Sequence, residues 1–287
     1  LAGVTKHMWK EAAAGIRLGA AVWLLAFAII FAVSYYSWAI EPKGLVVKRS
    51  VVEIGLEKPV KIVFISDIHA ETISDGFLES AVGMANAENP DYVFLGGDYT
   101  ETGGAQIERL APLRKLKAKK GAFAVLGNHD YLLGESACSS PDGDAAAEKT
   151  AAFLESMGIT VLRNGNIDTG DFVLAGVDDF WACKSNYSKA MEGADRSRPV
   201  VLLTHNQESV PEDEYRKPNL VLAGHTHCGQ ARLPIIGSVP KLFGFRGEYD
   251  MGLYRLDGGS YMYTSCGIGG GPPRLLAPPE ITVIELH

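Results

Sequence analysis

The chain has 287 residues, with 27 Lys and Arg against 34 Asp and Glu, for a formal charge of −7 with neutral histidines. Hydrophobic residues make up 47% and charged residues 21%, which excludes a disordered tail. The acidic balance excludes a sequence-blind nucleic-acid binder, which needs basic surface against phosphates, but a phosphate-handling enzyme can take its positive charge from metal ions.

The charge is unevenly spread: residues 1–40 carry a local +2 and residues 41–287 carry −9. From Leu18 to Ile40 run 23 uncharged residues ending in Tyr35, Tyr36 and Trp38. A bilayer core takes about 20 apolar residues in a helix, and aromatic rings suit its interface. A signal peptide and a buried core helix compete. The apolar run exceeds a signal h-region and lacks a clean A-x-A site, and Arg17 and Lys43 flank it with charge. The expected organisation is an N-terminal flank (1–17), a single transmembrane helix (18–40), a juxtamembrane segment with a first strand (41–59), and a catalytic domain (60–287).

Lysine and arginine flank both ends of the span, so the positive-inside rule gives no decisive side. Cys138, Cys183, Cys228 and Cys266 are widely spaced without a C-x-x-C pair and read as free thiols of a reducing compartment. The expectation is a cell inner-membrane protein whose catalytic domain leans to the cytoplasmic side.

Beyond the anchor, strand and helix signals alternate. Residues 46–56 read as a strand. Apolar runs at 61–66, 91–96, 122–127, 199–204 and 220–224 each end in a polar cluster, as buried strands do. Further strands are expected at 172–177, 251–256, 261–266 and 281–286. Helices are expected near 74–87, 105–119 and 145–157, the last with Asp144 available as its cap.

The polar clusters carry the chemistry. Asp67, His69, Asp98, Asn128, His205, His225 and His227 fall just after successive strands, where α/β folds gather their ligands. Six of the seven are Asp or His, the usual donors for Mn, Fe and Zn, and no cysteine is needed. Five of the seven histidines in the chain lie in these clusters, a distribution that core packing does not explain.

In this order the motifs resemble the calcineurin-like metallophosphoesterases. The matching blocks are Asp67-x-His69, Gly97-Asp98, Gly127-Asn128-His129-Asp130, His205 and Gly224-His225-x-His227. The resemblance covers roughly residues 60–285. It implies an α/β fold, a four-layer αββα sandwich of two mixed sheets, with a dinuclear site at the sheet edge. One divalent ion would take Asp67, His69 and His227, the other Asn128, His205 and His225, with Asp98 bridging. The ions are most simply Mn, with Fe or Zn as alternatives. Metal-activated hydroxide would hydrolyse a phosphodiester or pyrophosphate bond. His129 would act beside the metals as acid or transition-state stabiliser, with Asp130 to orient it.

Tyr99-Thr100-Glu101 after the bridging Asp departs from the Asp-Arg-Gly of protein phosphatases. The stretches 176–179, 229–234, 267–274 and 278–281 instead resemble a bacterial membrane-associated group, the YkuE- and YaeI-like phosphodiesterases. That group includes a UDP-2,3-diacylglucosamine pyrophosphatase of lipid A synthesis. The expected substrate carries phosphate and is lipid-linked or lies near the bilayer, with Arg232, Arg246 and Arg274 as candidate contacts. The segments 131–144 and 232–249 are candidate caps over the site. A non-catalytic membrane scaffold is the alternative from another class, and an intact donor set with His129 argues against it.

Overall fold

A computed structural model describes residues 2–133, 138–211, 214, 218–242 and 248–287. The first sheet takes β1 (Val46–Val52), β2 (Val60–Ile65), β3 (Tyr92–Leu95), β4 (Gly121–Ala124) and β5 (Thr160–Val161). The second takes β6 (Gly165–Asp168), β7 (Val173–Gly176), β8 (Val200–Leu203) and β9 (Leu220–Ala223). A hairpin of β10 (Arg232–Leu233) and β11 (Gly237–Ser238) follows, then β12 (Gly252–Arg255), β13 (Tyr261–Thr264) and β14 (Glu280–Leu286). The strand orders are β1-β14-β2-β3-β4-β5 and β12-β13-β9-β8-β7-β6. Each sheet is mixed: β2 to β5 and β7, β8, β9 and β13 run parallel, and β14 enters antiparallel to β2.

The continuous apolar runs are explained by burial on both faces. In β2, Ile62 and Phe64 point between the sheets while Val63 and Ile65 point outward under helices, and β3 repeats the alternation with Tyr92 and Phe94 against Val93 and Leu95. The inter-sheet core closes on Phe64, Phe94, Phe123, Phe172, Leu203 and Leu222. Burying such a side chain contributes roughly 1.5–3 kcal/mol. Outside the first sheet lie α2 (Asp75–Ala87) and α3 (Pro141–Glu155), and α4 (Tyr187–Ala190) packs outside the second. The architecture is the expected αββα sandwich.

Two helices depart from expectation. The segment read as a helix over 105–119 is a 3-10 run, Ile107–Lys115, with Pro112 inside it. Proline has no N–H to continue an α-helix. The third helix starts earlier than 145, because Ser140 Oγ accepts the Gly143 N–H and Pro141 sits in the first turn. Asp144, expected as the cap, instead pairs with Lys184 at 2.8 Å.

The N-terminal helix α1 (Ala2–Tyr35) passes through a π turn at Tyr36–Ile40 and a 3-10 turn at Glu41–Lys43. Its stretch Gly15–Lys43 is long and apolar enough to cross a membrane, with a mean hydropathy of 2.3 in a window that the rest of the chain leaves wholly uncovered. The reading as a buried core helix is therefore wrong. The far end of the helix is held by the domain. The carbonyl of Ser37 accepts the Arg274 N–H at 2.8 Å. The Glu41 carboxylate, 4% exposed, accepts the N–H groups of Leu276 at 3.0 Å and Ala277 at 2.6 Å. Strand β1 then pairs in parallel with β14, Val46 opposite Glu280, so residues 46–52 are built into the first sheet.

The free-thiol reading of the cysteines is also overturned. Cys138 is bonded to Cys183 and Cys228 to Cys266, and no free cysteine remains. Partners 45 and 38 residues apart meet because each pair sits on neighbouring loops at the same end of the sheets.

Candidate metal centre

The donors stand where parallel strands run out: Asp67 and His69 beyond β2, Asp98 beyond β3, Asn128 beyond β4, His205 beyond β8, and His225 and His227 beyond β9. The loops turn abruptly. Asp67, His69, Asp98, His225 and His227 all adopt left-handed backbone, with φ of 52°, 41°, 53°, 68° and 47°. That conformation costs roughly 1–2 kcal/mol for a residue with a Cβ, and it persists only where the surroundings over-determine it. Here the loops interlock: Asp67 N–H bonds the carbonyl of Gly97, His69 N–H that of Asp98, and Gly269 N–H that of Asp67. Gly224 shows how tight the approach is, since a Cβ there would stand 1.9 Å from Ser66 Oγ and 2.5 Å from Asp67 Oδ2.

The structure brings the donors together. Ligand atoms converge within 4.8 Å in three groups: Asp67, His69 and His227; Asp98, His205 and His225; and His69, Asp98 and His129. Asp98 lies between the first two, its Oδ2 3.5 Å from His69 Nε2 and 3.1 Å from His205 Nε2. His69 Nε2 and His227 Nε2 are 3.2 Å apart, and His225 Nδ1 and His205 Nε2 3.3 Å. Asn128 uses its amide N–H₂ on the Leu133 carbonyl at 2.7 Å, while its buried Oδ1 has no partner among the described residues. Convergent imidazole nitrogens, two carboxylates and an orphaned amide oxygen are a fitting set for divalent ions of the Mn, Fe and Zn kind.

The electrostatics agree. Burial pushes His225 down to about 3, helped by the charge of His205. Burial, then His69 and Arg274, hold His227 well below its ordinary value. Both rings are thus neutral, the form that binds metal. His205 is held well above its ordinary value, where Asp98 overcomes the effect of burial. Asp98 correspondingly stays well below the usual carboxylate range, burial notwithstanding, because His205 and His69 face it.

His129 sits at the rim. Its N–H donates to Asp98 Oδ1 at 2.9 Å, and its ring meets His69 edge-on, with centroids 4.9 Å apart. Asp130 does not serve His129 as expected. Its carboxylate accepts the N–H groups of Asp98 at 3.0 Å, Gly127 at 2.9 Å and Tyr99 at 3.1 Å, which pins the loop after β3 to the loop after β4. Burial raises its pKa to about 7, with Asp98 adding to the effect.

Glu101 is the residue beside His129 that the sequence did not single out. Its Oε1 lies 2.9 Å from His69 Nδ1 and its Oε2 3.4 Å from His129 Nδ1. The His69 ring against it keeps its carboxyl below the usual range, against the effect of burial. Glu71 in turn accepts the Glu101 N–H at 2.8 Å. Trp181 was also missed; its ring stands edge-on to His225 at 4.3 Å. Only its position, five residues beyond the end of β7 at Gly176, hinted at the site.

The arginines fare differently from the histidines. Arg274, expected as a phosphate arm, is 1% exposed and gives its guanidinium to the carbonyls of Ala277, Cys266 and Gly269, with Nη2 3.4 Å from His227 Nδ1. Burial lowers it to about 10. It braces the His227 ring from behind, because the glycines before it turn the chain inward. Arg232 pairs with Asp250 at 3.1 Å, and Lys241 approaches the same carboxylate at 3.4 Å. Arg246 lies outside the described residues, as do parts of both candidate capping segments. Of the first segment, Cys138 is stapled to Cys183, two residues from Trp181, and α3 begins at Pro141.

Residues 60–229 match the family profile described as calcineurin-like phosphoesterase. An uncharacterised metallophosphoesterase of Helicobacter pylori strain J99 is 31% identical over 94% of this chain and 70% of its own length. Phosphodiesterase YaeI of Escherichia coli K12 is 31% identical over 79% of this chain and 82% of its own. A zebrafish transmembrane protein with a metallophosphoesterase domain is 31% identical over 82% of this chain, which spans 56% of that relative's length. The donor order along the strands and these matches agree: the chain belongs to the calcineurin-like phosphoesterase family, in the YkuE- and YaeI-like group.

Proposed function

We propose that this phosphoester hydrolase is a membrane-anchored, dinuclear enzyme that cleaves a phosphodiester or pyrophosphate bond in a substrate at the bilayer. The observation that carries the reading is Asp98, set between two histidine-rich donor groups with ring nitrogens 3.5 Å and 3.1 Å away. Asp67, His69 and His227 would hold one divalent ion, and Asn128, His205 and His225 the other, with Asp98 shared. Divalent ions held there, Mn foremost, would supply an acidified water and offset charge on the phosphoryl oxygens.

The remaining work falls to the chain. His129, at the rim with Glu101 at its Nδ1, is placed to give a proton to the leaving oxygen. Glu101 is a positioning residue that holds both His129 and His69. Asp130 keeps the two loops in register, and Trp181 packs edge-on against His225. The anchor reading is supported by the uncovered helix, by Ser37 and Glu41 bonded into the domain, and by a relative named a transmembrane protein.

Two disulfides bear on the side of the membrane. Such bonds persist in oxidising compartments, so the pairing favours the outer face of the inner membrane over the cytoplasmic lean of the free-thiol reading. This weighs against a pyrophosphatase of UDP-2,3-diacylglucosamine, which is made in the cytoplasm. Purified full-length protein with Mn should hydrolyse an aryl phosphodiester faster than the matching monoester and lose that turnover on chelation. Full activity after chelation would refute the reading.

A further inference from the structure

A groove of about 260 Å³ lies between the end of the membrane helix and the metal centre. One wall is Trp38, Pro42 and Lys43, where the apolar helix ends; the other includes Ile73, Phe77 and Pro272. Its inner end abuts the loops that carry two of the donors, His69 and His227. Thr72, on the groove, donates its hydroxyl to the carbonyl of His69 at 2.9 Å and accepts the Gly270 N–H at 3.0 Å. Gly269 and Gly271 line the groove, and between them Gly270 presses on the His227 ring, where a Cβ would stand 2.4 Å from Cε1.

Beyond the groove, the hairpin and the loop before β14 carry exposed apolar side chains. Ile235, Ile236, Leu242 and Leu276 are all exposed. They belong to one connected edge: Arg232 N–H bonds the Leu275 carbonyl, and the next residue, Leu276, bonds Glu41 at the end of the helix. Several large apolar side chains exposed along one such rim mark a contact with protein or membrane. Here the apolar helix ends beside that rim, and the exposed Lys43 at its end suits anionic headgroups.

From the groove, the rim and the metal donors behind them, we propose that the groove takes one acyl chain of a phospholipid drawn from the bilayer and so brings its phosphoester to the centre. The proposal rests on the phosphoesterase reading and names its substrate class. A volume below that of whole-ligand pockets takes a segment of one chain, which leaves the headgroup outside the groove. Hydrolysis then adds water across the P–O bond: the water oxygen joins phosphorus, and a proton ends on the released alcohol oxygen. The anchor becomes one wall of the substrate site as well as a tether.

The binding test needs neither metal nor turnover. Full-length protein is placed in phosphatidylcholine vesicles containing a phosphatidylglycerol with a diazirine at its tail, in chelator, and illuminated. Adducts on Ile73, Phe77 or Ile268, reduced about tenfold by Phe77→Glu, are expected from the loss of a few buried methylenes. Adducts confined to residues 18–40 and the hairpin, or cross-links to a second copy of the chain in place of lipid, would overturn the proposal. With Mn added, dioleoyl phosphatidylglycerol should exceed its dihexanoyl counterpart in kcat/KM, and Ile73→Glu should erase about tenfold of that preference. Equal turnover of the two chain lengths while the aryl diester is still cleaved would sink the groove and leave the phosphoesterase reading standing.

Discussion

Glu101 places one carboxylate oxygen 2.9 Å from Nδ1 of His69 and the other 3.4 Å from Nδ1 of His129, so one side chain steers both a metal donor and the rim histidine. Groups that orient a ligating histidine typically carry a 10- to 100-fold effect. Glu101→Gln should therefore weaken Mn binding and lower kcat by a factor of that order. Unchanged values for both, measured by Mn titration and steady-state kinetics, would remove Glu101 from the account.

His129 donates its backbone N–H to Asp98, and its ring is the more exposed of the two imidazoles that face Glu101. His129→Ala should leave metal content near that of the unmodified chain while kcat falls about 10²–10⁴-fold, the usual worth of a positioned acid. Turnover that survives the substitution would show that the leaving group takes its proton elsewhere.

Metal uptake should release protons. His205 and His69 are both raised, His205 by Asp98 against burial and His69 by Glu101 and Asp98 against burial, so each keeps its proton to higher pH than a free imidazole does. A metal takes only the neutral ring, so binding must expel them, and apparent affinity should rise with pH across the neutral range. Calorimetric Mn titrations in buffers of different ionisation enthalpy measure this. Heats independent of the buffer would contradict the assignment.

The Cys228–Cys266 bond joins the loop of His227 to the turn that Arg274 braces. Replacing both cysteines with serine should cost about 2–4 kcal/mol of stability and weaken Mn binding. Chemical denaturation of the two proteins side by side reads the first effect. Identical midpoints would show that the pair is unbonded in the folded chain.

Much of this site was legible because its chemistry restricts residue type. Asp and His after apolar runs stand out, since runs such as 61–66 are apolar on both faces only when sheet and helix cover them. What stayed hidden depends on long-range geometry. Glu101 is one acidic residue among many until the loop after β3 folds it against two rings. The cysteine spacing carried no pairing, because partners 45 and 38 residues apart meet only when two sheets align their loops. Arg274 followed three glycines and read as a reaching arm, yet Gly270 and Gly271 adopt left-handed backbone that folds it inward. The 3-10 run at 107–115 had helical spacing, and Pro112 decided against it.

The central claim is that Asp98 is shared by two metal sites. The direct measurement is metal content by mass spectrometry on Mn-loaded, full-length protein, with and without Asp98→Ala, alongside aryl phosphodiester turnover. The account predicts two ions per chain in the unmodified protein, at most one in the variant, and loss of turnover with the second ion. Two ions and retained turnover in Asp98→Ala would contradict it.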